Sequence, residues 1–305
     1  MRTQTTRWPS IPVAEWQETR DTLHLYTQVI GKVRLANAPP VNHWWNVTLY
    51  TTAQGLTTSL MPHPTGPSFQ IDFDFVGSRL DITTVEGNQR SMALRPRPVA
   101  DFYAEAMDLL ADLRVPTRIW PMPVEIAGAN PFTDDRVHSS YDPAAVTRFW
   151  SALVEMNRVL SAFRGRFLGK ASPVHFFWGG FDLAATRFSG RPAPRYPHSA
   201  PNCGPQVMEE AYSQEVSSAG YWPGQVGEEG AFYAYAYPEP PGFRGTPVHP
   251  EGARWDDDFG EFVLPYELVR TAADPDAFLL EFLQSTYEAA ANAARWDRAA
   301  LERAG

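Results

Sequence analysis

Gly169-Lys170 followed by Pro173-Val174-His175-Phe176-Phe177-Trp178 repeats, in outline, an earlier stretch of the chain: Gly31-Lys32 followed by Pro40-Val41-Asn42-His43-Trp44-Trp45. Both stretches close a long helical pattern, over residues 14–36 and 143–168. Both lead into strand-like runs and then into a helix opened by proline, from Pro98 and from Pro275. A supersecondary unit stated twice predicts a duplicated architecture. The expected fold is α+β: two similar helix–four-strand–helix halves, residues 1–127 and 128–305, forming antiparallel sheet with packed helices in one compact unit. A seam between such halves is a natural place for a ligand.

Working outward, residues 69–76 alternate Phe69, Ile71, Phe73 and Phe75 with Gln70, Asp72 and Asp74, the period of a strand with one buried face. Glu86-Gly87-Asn88 reads as a hairpin turn. Asp142-Pro143 and Asp274-Pro275 each pair an N-cap carboxylate with a proline at the first helical position. Residues 41–52 read as a strand, residues 118–126 as a further strand interrupted by Pro121 and Pro123, and residues 214–221 as another strand. Residues 189–206 and 238–258 read as irregular, proline-rich loops.

Hydrophobic residues make up 44% of the 305, enough for a large core. A net charge of −9 without a basic stripe argues against electrostatic binding of nucleic acid. Cys203 is the single cysteine, so no intrachain disulfide can form, which fits a reducing, cytoplasmic compartment. There is no apolar signal core and no run long enough to span a bilayer, so no membrane association is expected. The chain has no HExxH, CxxC, GxGxxG, P-loop or GxSxG pattern. The sequence therefore names no cofactor and no oligomeric state, and no metal ligands are assigned.

Candidate site residues come from polar groups crowded among aromatics. Arg20, His24, Gln28 and Lys32 recur every fourth residue and share one helix face. A solvated face is the plain reading; the functional one makes His24 a proton-transfer group and Lys32 an anion anchor. Strand alternation would put His43 and Trp45 on one side, where they can stack on a planar ligand. His175 and Asp182 flank Gly179-Gly180. If the chain folds back there, the carboxylate can fix the imidazole tautomer. Arg187 suits an anionic group, or else an acid such as Asp72, Asp74 or Glu215. Ser213, Glu215 and Ser217 share a strand face, expected to line a pocket as part of a polar network.

Residues 22–32 (TLHLYTQVIGK), 40–45 (PVNHWW), 175–182 (HFFWGGFD) and 210–218 (EAYSQEVSS) resemble an uncharacterised bacterial domain-of-unknown-function family. The resemblance covers nearly the whole chain and implies no activity. It implies histidine at the position that Gln214 fills here, and an amide is a poor metal ligand.

The leading expectation is an enzyme acting on a small, polar, anionic molecule in a polar and aromatic pocket between the halves. His24, His175, Asp182 and Glu215 are its catalytic candidates. Lys32, His43, Trp45, Trp178 and Arg187 are its substrate-binding candidates. The alternatives are a metal-dependent enzyme with His, Asp and Glu ligands and a non-catalytic binding or sensor protein. The only partner expected is a small-molecule ligand.

Overall fold

The computed structural model describes residues 7–224 and 226–303. The fold is α+β. The first half runs α1 (Val13–Asn37), a 3-10 turn (Asn42–Trp44), β1 (Tyr50–Thr51), β2 (Gly55–Thr57), β3 (Phe69–Asp74), β4 (Arg79–Thr84), β5 (Gln89–Ala93) and α2 (Val99–Asp112). Strands β1 to β5 form an antiparallel meander in sequence order. The second half runs α3 (Pro143–Gly165), β6 (His175–Phe177), β7 (Asp182–Pro192), α4 (Pro205–Ala211), β8 (Gln214–Trp222) and β9 (Ala231–Tyr237). It continues through β10 (Arg254–Asp256), β11 (Glu261–Pro265), α5 (Tyr266–Thr271), α6 (Pro275–Ala293) and α7 (Arg298–Leu301). Its sheet has the order β10-β11-β9-β8-β7-β6, all pairs antiparallel.

The sheets have five and six strands instead of four and four, and only the first is a simple meander, since β9 pairs with β11 in the second and α4 interrupts it. The two sheets meet at their first strands. Leu49, just before β1, and Phe176 in β6 exchange both backbone hydrogen bonds, at 2.9 and 2.8 Å. Both side chains are fully buried, and one hydrophobic core runs through both halves. No described helix is long and apolar enough to cross a membrane.

Helix α1 is the axis of the molecule. Every residue from Leu25 to Arg34 is buried, on all faces. Tyr26 stacks on Phe102 of α2, Trp16 packs on Phe149 of α3, and Gly31 lets the Trp178 indole approach the helix backbone. A helix buried all round can hold polar side chains only if they find partners. The row Arg20, His24, Gln28, Lys32 is therefore not a solvated face.

The alternation of β3 and the Asp142 and Asp274 caps are as the sequence implies. The Asp142 and Asp274 carboxylates accept from Ala144 N and Ala277 N, and Gly87 takes its turn between β4 and β5 at φ 84°. Four readings change, one being the loop read over 238–258, which holds a 3-10 turn (Phe243–Gly245) and β10, paired with β11. Residues 42–44 form a 3-10 turn instead of a strand, with His43 and Trp44 at φ 57° and 62°. Pro39-Pro40 ends the preceding helix, and the Asn46 side chain accepts from Val41 N at 3.1 Å, which closes the turn. Residues 118–126 are irregular, because their backbone bonds to loops and side chains and joins no ladder. The loop read over 189–206 is shortened at both ends, by β7 running to Pro192 and by α4 starting at Pro205.

Candidate functional site

Between the C-terminal end of α1 and the β6–β9 face of the six-stranded sheet, a cavity of about 670 Å³ opens. Its walls come from both halves. Lys32, His43, Trp44, Trp45 and Val47 belong to the first, Arg118, Trp120 and Glu125 to the linking segment, and Phe177 to Asp182 with β7, β8 and β9 to the second. Residues 202–212, including α4, complete the lining.

The polar row of α1 supports this wall. His24 lies behind it: its Nε2 donates to Gly179 O at 2.8 Å and to Trp178 O at 3.1 Å. Burial pushes its imidazole down to about 4, so the ring is neutral. Gln28 grips the linking segment, accepting from Val124 N and donating to Val124 O, both at 2.9 Å. Asn202 Nδ2 donates to Pro123 O, and Glu125 N donates to Pro201 O. These bonds pin Glu125 at the cavity. Gly179 and Gly180 allow its carboxylate to lie against their backbone.

Lys32 is the one member of the row that lines the cavity. Only 4% exposed, it makes no hydrogen bond or ion pair with the described residues; its Nζ lies 5.0 Å from the Trp120 ring centroid. Burial pushes its ammonium down to about 8. An unpaired buried cation is costly, so an anion entering the cavity gains more from it than it would in water.

Two carboxyl groups share another wall. A Cβ placed on Gly180 would lie 2.9 Å from Asp182 Oδ1 and 3.5 Å from Glu125 Oε2, so the pair are close enough to repel. Burial pushes Asp182 up to about 6, opposed by the hydrogen bond that Tyr233 Oη donates to its Oδ2. Burial and then the Asp182 charge push Glu125 up to about 7. Glu125 lines the cavity but is solvent-exposed there, so solvent weakens the upward push on its carboxyl more than that on the less accessible Asp182.

His43 also lines the cavity. Its Nδ1 donates to Glu210 O and Ala211 O at the end of α4, leaving the Nε2 lone pair to the Lys170 ammonium at 2.5 Å. Burial and the Lys170 charge lower its affinity for a proton. Lys170 also donates to Gln214 Oε1 at 3.1 Å.

Lys32, His43, Trp45, Trp178 and Asp182 are thus brought together at the cavity, while four other candidates stand elsewhere. His24 faces backbone. His175 has no accessible surface; it packs among Trp45, Tyr50 and Phe177, and neither ring nitrogen has a partner. It pairs with Ala184 while Asp182 pairs with Phe177, and Asp182 bonds to Tyr233, so His175 and Asp182 do not meet. Arg187 is fully buried on the other face of β7, stacked 3.5 Å from the Phe163 ring centroid and bonded to Phe163 O. Glu215 pairs with Arg191 on that same far side. On β8 the residues lining the cavity are Val216 and Ser218, so the face of Ser213, Glu215 and Ser217 is turned away.

Glu125, Trp120 and Tyr233 are cavity residues that sequence reading passes over. Tyr233 carried a usable signal in the alternation Tyr233, Tyr235, Tyr237. Glu125 carried none, since its place depends on Gln28, almost a hundred residues away in sequence. Among the described residues, no three His, Cys, Asp or Glu side chains gather so as to hold a metal ion.

Fold and site define an α+β protein of two antiparallel sheets with a polar and aromatic cavity on the six-stranded one. The chain belongs to the family described as a family of unknown function, DUF5996, whose model matches residues 8–303. No curated protein and no solved structure matches it.

Proposed function

We propose that the chain is an enzyme acting on a small, polar, anionic molecule held in the cavity between α1 and the six-stranded sheet. Lys32 holds the anionic group, and the Asp182–Glu125 pair moves the proton. The observation that carries this reading is the carboxyl pair on one cavity wall, pushed to about 6 and about 7. Near neutral pH such a pair holds a protonated and an ionised member side by side, as acid–base catalysis requires. Tyr233 donates to Asp182 and leaves Glu125 without a hydrogen-bond donor, which makes Glu125 the readier proton carrier. His24 has a supporting role in this scheme, because its Nε2–H is committed to backbone carbonyls.

A screen of small polar metabolite classes by thermal shift, with hits followed by NMR for conversion, tests the reading. The expected result is a hit that is converted by the wild type, with turnover reduced at least about a hundredfold in Glu125→Gln while binding survives. A hit that binds saturably and is returned unchanged would replace the enzyme with a binding or sensor protein. The metal-dependent alternative draws no support from the arrangement of ligating side chains.

A further inference from the structure

We infer that the cavity takes a zwitterionic ligand, with an anionic group on Lys32, a protonated amine at the Asp182 and Glu125 carboxyls, and an apolar body against Trp45 and Trp178. The inference rests on reading the cavity as a ligand site and is independent of the chemistry proposed for it.

Three observations converge. Lys32 is buried and aimed into the cavity, yet the described residues offer its ammonium no acceptor. The protein leaves that place open for an anion, since an unpartnered buried charge is otherwise only a cost. The two carboxyls are in the opposite condition. No Lys, Arg or His among the described residues pairs with Asp182 or Glu125, and only the Tyr233 hydroxyl donates to either from another side chain. A wall with two close carboxyls and no cation is complementary to an ammonium, which relieves their mutual repulsion. Finally, among the described residues the charges line one cavity without pairing to each other. A ligand carrying both charges satisfies both walls at once. A singly charged ligand leaves one wall unsatisfied.

A matched series tests this by calorimetric titration of the full chain at pH 7: L-phenylalanine, L-phenyllactate with hydroxyl for amine, 3-phenylpropanoate with neither, and 2-phenylethylamine without the carboxylate. The expected result is that phenylalanine binds at least about tenfold more tightly than each of the others. Lys32→Met should erase its advantage over phenylethylamine, and the pair Glu125→Gln with Asp182→Asn its advantage over phenylpropanoate. All three substitutions remove charge without removing bulk, and unfolding curves would confirm that the variants fold. Phenyllactate or phenylpropanoate binding as tightly as phenylalanine overturns the zwitterion while leaving a small-molecule cavity in place. Failure of all four to bind at tens of millimolar overturns both.

Discussion

Gln28 holds the backbone of Val124 by both its groups, accepting from N–H and donating to C=O at 2.9 Å each. A helix side chain thereby imitates a neighbouring strand for a segment that belongs to no sheet. The next residue, Glu125, owes its place at the cavity to this grip. Gln28→Ala should cost on the order of 1–3 kcal/mol in urea unfolding, through backbone groups left unpaired. Ligand affinity should fall with it. Unchanged stability would mean that the segment is anchored elsewhere, by Asn202 above all.

Gly31→Ala tests the approach of Trp178 to α1. A Cβ there would fall within the indole ring. Alanine favours a helix over glycine by about 1 kcal/mol, but overpacking costs about 1–3 kcal/mol. The net expectation is a lower Tm and a shift in tryptophan fluorescence, since Trp178 Nε1 also donates to Val47 O at 2.6 Å. A raised Tm would show that the ring moves aside freely.

His175 is a neutral imidazole without partners. Burial, and the charges of Arg34 and Arg164, push it down to about 3. In the unfolded chain it protonates near 6.5, so its contribution to stability falls as pH drops from about 6.5 towards 3. His175→Leu should stabilise the protein, by a margin that grows over that window. His24, pushed to about 4, contributes with the same sign and remains in the variant. A variant less stable than wild type at pH 5 would show that the imidazole serves a need that packing alone does not meet.

The carboxyl pair has the opposite sign. Folded Asp182 and Glu125 hold their protons to about 6 and 7, whereas unfolded they release them near 4. Stability therefore falls as pH rises through this interval. Asp182→Asn and Glu125→Gln should match the wild type at pH 4 and exceed it at pH 8, by on the order of 1–3 °C in Tm. Glu261, pushed to about 7 by burial and the charges of Asp182 and Asp256, follows the same course and is present in both variants, but in Asp182→Asn it loses the Asp182 contribution. Equal Tm values at pH 8 would mean that the two carboxylates are better solvated than their position implies.

Lys32→Met should raise Tm at pH 7 and abolish anion binding. The ammonium is held to about 8, below its unfolded value near 10.5, so wild-type stability climbs between those limits. The advantage of the methionine variant should close by about pH 10.5. A destabilised variant at pH 7 would point to an acceptor for the ammonium within the protein.

The four long helices and most of the strands were legible in the chain, whereas the short helices α4, α5 and α7 were not. The legible signals are local: Asp-Pro caps, the Phe69 to Phe75 alternation, the turn at Gly87. Half of the cavity was legible too, because aromatic and polar residues were crowded at the two Gly-Lys…Pro stretches. The sequence by itself determined the long helices, most of the strands and the two stretches around which the cavity gathers. Tertiary structure alone decided which faces met. The left-handed turn at His43 and Trp44 broke the expected alternation. The register of β8 turned Ser218, instead of Glu215, to the cavity. His24 and Lys32, alike on one helix face, ended as a wall support and an open cation. Glu125 reached the cavity through a side chain far away in sequence. Propensity acts over a few residues, whereas the cost of burying a charge depends on everything packed around it, and that is settled only when distant segments meet.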